Sequence, residues 1–205
     1  MQSKDLTGIH IEGHIKIWNP ETKEVFVNKR NAIHYENIST ALANSLSNNT
    51  DGGFISQMAF GNGGTAVDPT GIITYFTPNT NGSNASLYNQ TYAKVVNQNS
   101  SSNTDPTRNF MEVRHLTGTN YSDVFVTCLL DYGDGSTSGQ SAFDNINSNT
   151  SNFVFDELGL QSYSASGNPL LLTHVIFHPV QKSLNRLIQI DYTVRLQSLT
   201  GLVSV

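Results

Sequence analysis

The stretch RLIQIDYTVRLQ, Arg186–Gln197, alternates apolar and polar side chains with a period of two. One set of alternating positions is apolar and comprises Ile188, Ile190, Tyr192, Val194 and Leu196. The other set is polar and comprises Gln189, Asp191, Thr193, Arg195 and Gln197. Successive side chains of a strand point to opposite faces, so this pattern is typical of a half-buried antiparallel strand. It predicts a strand with one face on a hydrophobic core.

Working outward, most of the chain has the same character. Short segments rich in β-branched and aromatic residues are separated by Gly, Pro, Asn and Ser, and the further strand candidates are Phe54–Phe60, Gly71–Phe76, Tyr88–Val96, Asn109–Leu116, Ser122–Tyr132, Asn152–Gln161 and Leu170–His178. Helices do not alternate with these strands, which favours an antiparallel β-sandwich over a parallel α/β fold. We therefore predict a mainly β protein, an antiparallel β-sandwich of jelly-roll-like form.

The N-terminal segment 1–50 adds a hairpin and a helix to this plan. GIHIEGHIKIWNPETKEVFVN, Gly8–Asn28, alternates on both sides of the turn-forming residues Asn19–Lys23. Apolar residues then recur at helical spacing, which predicts one amphipathic α-helix near residues 32–47 with Asn31 as its N-cap. We expect a single domain over residues 1–205, with long polar loops near 77–86 and 133–151.

Composition excludes several classes of protein. Charged residues make up 13% of the 205 residues, the net charge is −5, and the pI is about 5.6. No basic stripe is present, so we expect no nucleic-acid partner. No apolar run reaches the ~20 residues of a membrane span, and no signal peptide is evident, so we expect no membrane partner. The single cysteine, Cys128, lies in an apolar run and is interpreted as a buried hydrophobe.

A glycine-rich stretch raises the question of phosphate binding. MAFGNGGTAVDPTG, Met58–Gly71, lacks the lysine of a phosphate-binding P-loop. Gly61, Gly63 and Ala66 match the dinucleotide pattern in part, but Pro69 argues against the helix that this pattern must open. We interpret the stretch as a turn in which glycines supply positive φ angles.

Candidate catalytic and metal-binding residues do not form a recognisable motif. Asp156 and Glu157 are adjacent, but no second carboxylate can be placed at an acid–base separation from them. His10 and His14 share a strand face about 13 Å apart, too far for one metal ion. A pair formed by His10 and Glu12 leaves open a metal site completed by a neighbouring strand or subunit. We predict no catalytic residue, no cofactor and no metal site within the chain, and hence no enzyme.

Three stretches together carry a family resemblance. They are Gly13–Leu46, Phe54–Asn79 and Leu171–Gln197, with LLDYGDGSTSGQSAFDN between the last two. In this order they resemble virion structural proteins of tailed bacteriophages, particularly those with contractile tails. The resemblance implies a virion component that is assembled in many copies in the cytoplasm of the bacterial host. Its implied partners are copies of itself and other virion proteins of the portal, neck and tail or the major capsid protein.

Within that resemblance, a neck, collar or tail component is the first expectation and a capsid decoration protein the second. A host-receptor or carbohydrate-binding module is the alternative from another class. Such a module usually shows exposed aromatic residues on its loops. The two long loops contain a single aromatic residue, Phe143. The candidate residues for an assembly interface are Trp18, Phe26, Phe177, His178 and Pro179.

Overall fold

A computed structural model describes residues 8–134 and 152–199. It confirms the prediction of a mainly β, antiparallel fold with one helix. In chain order, the elements are β1 Gly8–Trp18, β2 Val25–Arg30, β3 Ala32–Ile33, α1 Tyr35–Leu46, β4 Ile55–Gly61, β5 Thr65–Val67, β6 Ile73–Tyr75, β7 Gln90–Val95, β8 Phe110–His115, β9 Tyr121–Leu130, β10 Asn152–Ser162, β11 Thr173–Ser183 and β12 Ile188–Leu199. Most of the predicted loop 133–151 lies outside the described residues.

Two five-stranded sheets form the body of the protein. Sheet 1 has the order β2-β1-β12-β9-β8, and sheet 2 has the order β3-β11-β10-β4-β7. Strands β5 and β6 form a separate two-stranded sheet. One hydrophobic cluster contains residues of both large sheets, such as Ile15 and Ile190 from sheet 1 and Phe60 and Phe155 from sheet 2. This packing is that of a sandwich, while the jelly-roll-like connectivity stays a prediction.

Strand β12 lies at the centre of sheet 1, as its alternation suggests. It pairs with β1 on one side and with β9 on the other, in antiparallel register. Its apolar face is buried from Ile188 to Val194 and half-buried at Leu196. Tyr192 is fully buried, and its hydroxyl accepts a hydrogen bond from the side-chain amide of Asn31. The polar face of the strand is half-buried rather than fully exposed to solvent.

The helix begins later than predicted. Residues Ala32 and Ile33 form the short strand β3 on the edge of β11, so α1 starts at Tyr35 and Asn31 is not its N-cap. The N-cap is His34, whose Nδ1 accepts the backbone N–H of Asn37 at 3.2 Å. The other ring nitrogen, Nε2, lies 2.9 Å from the carbonyl oxygen of Gly82, so it carries the proton. A neutral histidine therefore joins the helix start to the loop 77–86.

A bulge in β11 accommodates a proline. Phe155 of β10 pairs with Val180, and Glu157 pairs with Ile176, so β11 has more residues than β10 between these pairs. Pro179 cannot donate to a ladder, and proline inside a sheet is found at bulges and edges for this reason. The bulge leaves His178 exposed while Phe177 stays in the core.

Candidate functional site

The glycine-rich loop after β4 binds carboxylates of the protein itself. The backbone N–H groups of Gly64 and Thr65 each donate to the side chain of Asp156 at 2.9 Å. The N–H of Gly63 donates to Oε1 of Glu157 at 3.1 Å. Consecutive N–H groups of this kind form a concavity that attracts anions. The loop is therefore an anion-binding turn whose anions are the side chains of β10.

Gly71 has a φ angle of +87°, as predicted for this stretch, but the role of Gly61, Gly63 and Gly64 differs from the prediction. The residues with positive φ in the described chain do not include Gly61, Gly63 or Gly64, so a left-handed conformation does not explain them. A Cβ atom on Gly61 would lie 2.5 Å from the carbonyl oxygen of Asn89, and one on Gly63 would lie 2.7 Å from the nitrogen of Asn89. These glycines are needed because the backbone packs closely against the segment before β7.

Glu157 is the centre of what we call the carboxylate cluster, which consists of Asp156, Glu157 and His174. Its Oε1 accepts the N–H of Asn89 at 2.8 Å as well as that of Gly63. Its Oε2 accepts the N–H of Tyr88 and the Nε2 proton of His174, both at 2.9 Å.

The tautomer of His174 follows from its second hydrogen bond. Its Nδ1 accepts the backbone N–H of Asn79 at 2.7 Å, so the ring proton lies on Nε2 and faces Glu157. Burial raises the pKa of Glu157, but hydrogen bonds from His174, Asn89 and Tyr88 outweigh burial and lower it. The pair is thus a neutral histidine that donates to an ionised carboxylate.

This arrangement holds segments together and is closed to a substrate. The side chains of Glu157 and His174 are both 0% exposed to solvent. Every hydrogen bond described above goes to the protein's own backbone or to a member of the cluster. The cluster fixes the loop after β4, the loop 77–86 and the start of β7 to the central strand β10. The sequence pointed to Asp156 and Glu157 but not to their partners, because most of these are backbone groups and His174 lies on another strand.

The histidines considered for a metal site are not brought together. His10 and His14 are exposed on β1, and Glu12 between them faces Arg30 at 3.6 Å. Within the two described ranges, no group of three or more His, Cys, Asp or Glu residues is placed to hold a metal ion. A site shared with a neighbouring subunit stays a hypothesis.

Asp131 and Asp134, which follow β9, are paired with cations. Asp134 forms an ion pair with Lys94 and accepts a hydrogen bond from the hydroxyl of Tyr92 at 3.0 Å. Asp131 accepts from Arg108 at 2.6 Å. The negative charge of both carboxylates is thereby balanced inside the protein.

Cys128 is buried, as predicted, with an exposure of 0%. Burial raises the pKa of its thiol to about 12, so the thiolate is scarce at neutral pH. This residue fills the core and does not offer a reactive nucleophile.

The outer face of sheet 1 carries a row of alternating charges, which we call the charge row. It crosses all five strands of the sheet and comprises Arg114, Asp123, Arg195, Glu12 and Arg30. The strongest contact is bidentate, since Arg195 donates to the two oxygens of Asp123 at 2.7 and 2.8 Å. Cross-strand pairs of opposite charge stabilise a sheet modestly. The polar face of β12 is therefore structural.

Replacing Asp123 with asparagine should lower the free energy of unfolding by about 0.5–1 kcal/mol, because the pair with Arg195 is only partly shielded from water. The hydrogen bond from Arg195 lowers the pKa of Asp123, so the contribution exists above the ordinary value near 3.8 and disappears as the pH falls through the folded value. Urea unfolding at pH 7 and pH 3 measures both effects. Glu24→Gln, at an exposed position that lies only 3.9 Å from Arg186, is the control, and an equal loss at both pH values would contradict the expectation.

Aromatic rings on this outer face are covered by cations. The guanidinium of Arg114 lies 3.7 Å from the ring centre of Phe125, and that of Arg195 lies 4.0 Å from the ring centre of Tyr121. Nζ of Lys16 lies 4.6 Å from the ring centre of Trp18. These contacts are cation–π interactions, which hold the rings in place. A ligand that stacked on the covered face of one of these rings would have to displace the cation.

The predicted interface residues fall in different environments. Trp18 is half-buried and donates its indole N–H to Asp191 at 2.8 Å. Phe26 is half-buried, with the guanidinium of Arg186 lying 4.8 Å from its ring centre. Phe177 is 3% exposed and belongs to the core, so it offers no surface to a partner here. His178 is exposed beside the half-buried Pro179.

His178 adjoins an exposed apolar feature that sequence reasoning missed. Strands β5 and β6 form a small hairpin, and Nδ1 of His178 lies 3.3 Å from the hydroxyl of Tyr75 on it. We call residues 65–76 the hairpin arm. Its exposed side chains, with their exposed fractions, are Val67 47%, Ile72 63%, Tyr75 51% and Phe76 44%. Large apolar side chains that are exposed side by side in this way favour a partner.

The tip of the arm has a defined shape. Oδ1 of Asp68 accepts the backbone N–H groups of Thr70 and Ile72 at 2.8 and 3.0 Å, and the hydroxyl of Thr70 at 2.6 Å. At the base, the N–H of Phe76 donates to the carbonyl of Gly64 at 2.9 Å. The arm is thus anchored to the anion-binding turn and presents its apolar residues in a fixed form.

A second apolar feature is a groove between the helix and the open ends of the two sheets, which we call the end groove. It has a volume of about 530 Å³, within the range of ligand and peptide pockets. Its walls are mainly apolar and include Ile11, Leu42, Phe54, Met111, Val113 and Leu196. Val113 is 72% exposed, so the groove opens to solvent.

Comparisons with known proteins give no relative: no protein-family model, no curated protein sequence and no solved structure matches this chain. In the part of the chain that the structure describes, no helix is both long enough and apolar enough to cross a membrane.

Proposed function

We propose that this protein is a structural component of a tailed-bacteriophage virion that self-assembles in many copies. The neck, collar or tail is the first proposed location, and capsid decoration is the alternative. The observation that carries the proposal is the hairpin arm, which presents apolar side chains such as Ile72 and Tyr75 to solvent on an antiparallel sandwich. Protein–protein interfaces have apolar centres with polar rims.

The interior chemistry supports contact rather than catalysis. The carboxylates of Asp156 and Glu157 are hydrogen-bonded to backbone groups in the interior. Asp131 and Asp134 are paired with Arg108 and Lys94. An enzyme needs ionisable groups that can reach a substrate. These groups instead stabilise loops, as expected of a protein that supplies surface to an assembly.

A carbohydrate- or receptor-binding module is the second candidate, because Tyr75, Phe76 and Tyr88 are exposed aromatic residues. The rings of Phe76 and Tyr88 lie 5.6 Å apart with planes inclined at 60°. A sugar ring stacks best on a flat aromatic face, and these two rings do not share one. The arrangement therefore favours a protein partner that surrounds the arm.

Antibodies raised against the purified protein test the proposal directly. Particles of the phage that encodes the chain are purified, labelled and viewed by electron microscopy, and label at the neck or tail is expected. Label on the capsid surface would select the decoration alternative. Detection of the protein in infected cells, but not on particles, would contradict a virion role.

A further inference from the structure

The hairpin arm and the end groove lie at opposite ends of the sandwich. Ile55, at the start of β4, lines the groove, whereas Gly61 ends β4 just before the arm. Six residue steps of a strand span about 20 Å. The partner strand β10 agrees, since Ser162 pairs with Ile55 at the groove end and Glu157 pairs with Gly61 at the arm end. One copy therefore cannot place its own arm in its own groove.

The two surfaces are alike in polarity. The arm carries one acidic residue, Asp68, whose carboxylate is hydrogen-bonded within the tip. The groove has one charged residue in its lining, Glu112, and this carboxylate forms an ion pair with Arg114. Bringing arm and groove together would therefore bury apolar surface without leaving an unpaired charge in the interface.

We propose that the hairpin arm of one copy inserts into the end groove of a second copy, head to tail, with Ile72 near the centre of the contact. This inference rests on the self-assembly in the proposed function and names the surfaces that carry it. A contact between two different surfaces leaves a free arm and a free groove at the ends of each pair. Such contacts generate closed rings when the rotation closes and filaments when it does not.

Crosslinking of single-cysteine variants tests which surfaces meet. Ser45 lines the groove from the exposed side of α1, and Ile72 is exposed on the arm, so Ser45→Cys and Ile72→Cys should both fold. An equal mixture of the two variants, treated with a short bismaleimide reagent, should give a crosslinked dimer on a denaturing gel. The matched control pairs Ile72→Cys with Ser39→Cys, which is exposed on the same helix outside the groove. The wild-type protein, whose Cys128 is buried, should give no crosslink.

Either of two results would overturn the arm-to-groove contact. A dimer from Ile72→Cys alone would show that arms meet arms across a twofold axis. Equal crosslinking of the mixtures with Ser45→Cys and Ser39→Cys would show that the contact does not involve the groove.

Light scattering over a range of concentrations measures the strength of the contact. Ile72→Lys should weaken self-association at least tenfold, because a lysine would be carried into an apolar groove. Leu116→Lys changes an equally exposed residue outside both surfaces and should leave association unchanged. Circular dichroism and thermal unfolding show that each variant is folded.

Failure of this inference can be told apart from failure of the proposed function. Self-association that Ile72→Lys leaves unchanged would contradict the arm-to-groove contact and leave self-assembly standing. A wild-type protein that stays monomeric, together with a mixture of Ser45→Cys and Ile72→Cys that gives no crosslink, would contradict the contact. If antibodies still label particles, the virion role is left standing. A monomer that antibodies do not find on particles would contradict both.

Discussion

Replacing Glu157 with alanine should lower the free energy of unfolding by about 3–5 kcal/mol, the loss usual when one partner of a buried charged network is removed. The variant leaves three backbone N–H groups, those of Gly63, Tyr88 and Asn89, without their acceptor. The Nε2 proton of His174 loses its acceptor as well. Buried donors without acceptors are costly because water no longer compensates them.

The acid dependence of this variant has a definite sign. The pKa of Glu157 is lowered in the folded protein from its ordinary value of 4.5. Its contribution is therefore present above that value and is lost as the pH falls through the folded pKa. Burial is the main cause of the raised pKa of the neighbouring Asp156 and acts in both proteins, while the charge of Glu157 adds a smaller part. The difference between wild type and variant should therefore shrink below pH 4.

Urea unfolding at pH 7 and at pH 3 measures these quantities. Glu112→Gln provides the control, because Glu112 is an exposed carboxylate and its replacement should change stability by less than about 0.5 kcal/mol. A loss below about 1 kcal/mol for Glu157→Ala would show that water replaces the carboxylate easily and that the cluster does not hold the loops together.

Replacing Lys182 with methionine should raise the free energy of unfolding by about 1–3 kcal/mol at pH 7. Lys182 is 1% exposed, and burial lowers the pKa of its amine to about 8. Asp134 and Asp131 oppose this shift, and Lys94 adds to it. Nζ donates to the carbonyl of Ser183 at 2.8 Å, so the variant loses this hydrogen bond and gains by removing a buried charge.

The advantage of the methionine variant should fade in alkali. The ordinary pKa of lysine is 10.5, so between pH 8 and pH 10.5 the unfolded chain binds more protons than the folded one. Stability of the wild type therefore rises with pH across this interval, and the gap to Lys182→Met narrows. Chemical unfolding at pH 7, 9 and 10.5 measures the gap. Lys23→Met, at an exposed turn position, should show no such trend, and a destabilised Lys182→Met protein at pH 7 would contradict the argument.

Features that depend on neighbours in sequence could be predicted well. The period of two in β12 and in the N-terminal hairpin reports which side chains face the core, because burial of one strand face is a local pattern. The helical spacing of apolar residues after residue 31 correctly predicted the approximate position of an α-helix. The predicted N-cap, Asn31, was wrong because Ala32 and Ile33 pair with β11, more than a hundred residues away in the chain.

Only part of the chemistry of the glycine-rich stretch could be predicted from the sequence. In the sequence, the absence of a lysine and the presence of Pro69 argued against a nucleotide site. The loop instead binds Glu157 through its backbone N–H groups. Every residue except proline has such a group, so the sequence does not show which of them will donate to β10.

The sequence by itself determined the class of fold, the burial of Cys128 and the lack of a recognisable catalytic motif. Only the tertiary structure decided that Phe177 is core, that Ile72 and Tyr75 stand on an exposed arm, and that an apolar groove opens at the far end of β4. The reason is physical. Alternation along one strand reports which face is apolar, but whether an apolar face is covered depends on segments brought from elsewhere in the chain, and their position is fixed only when the sheets pack.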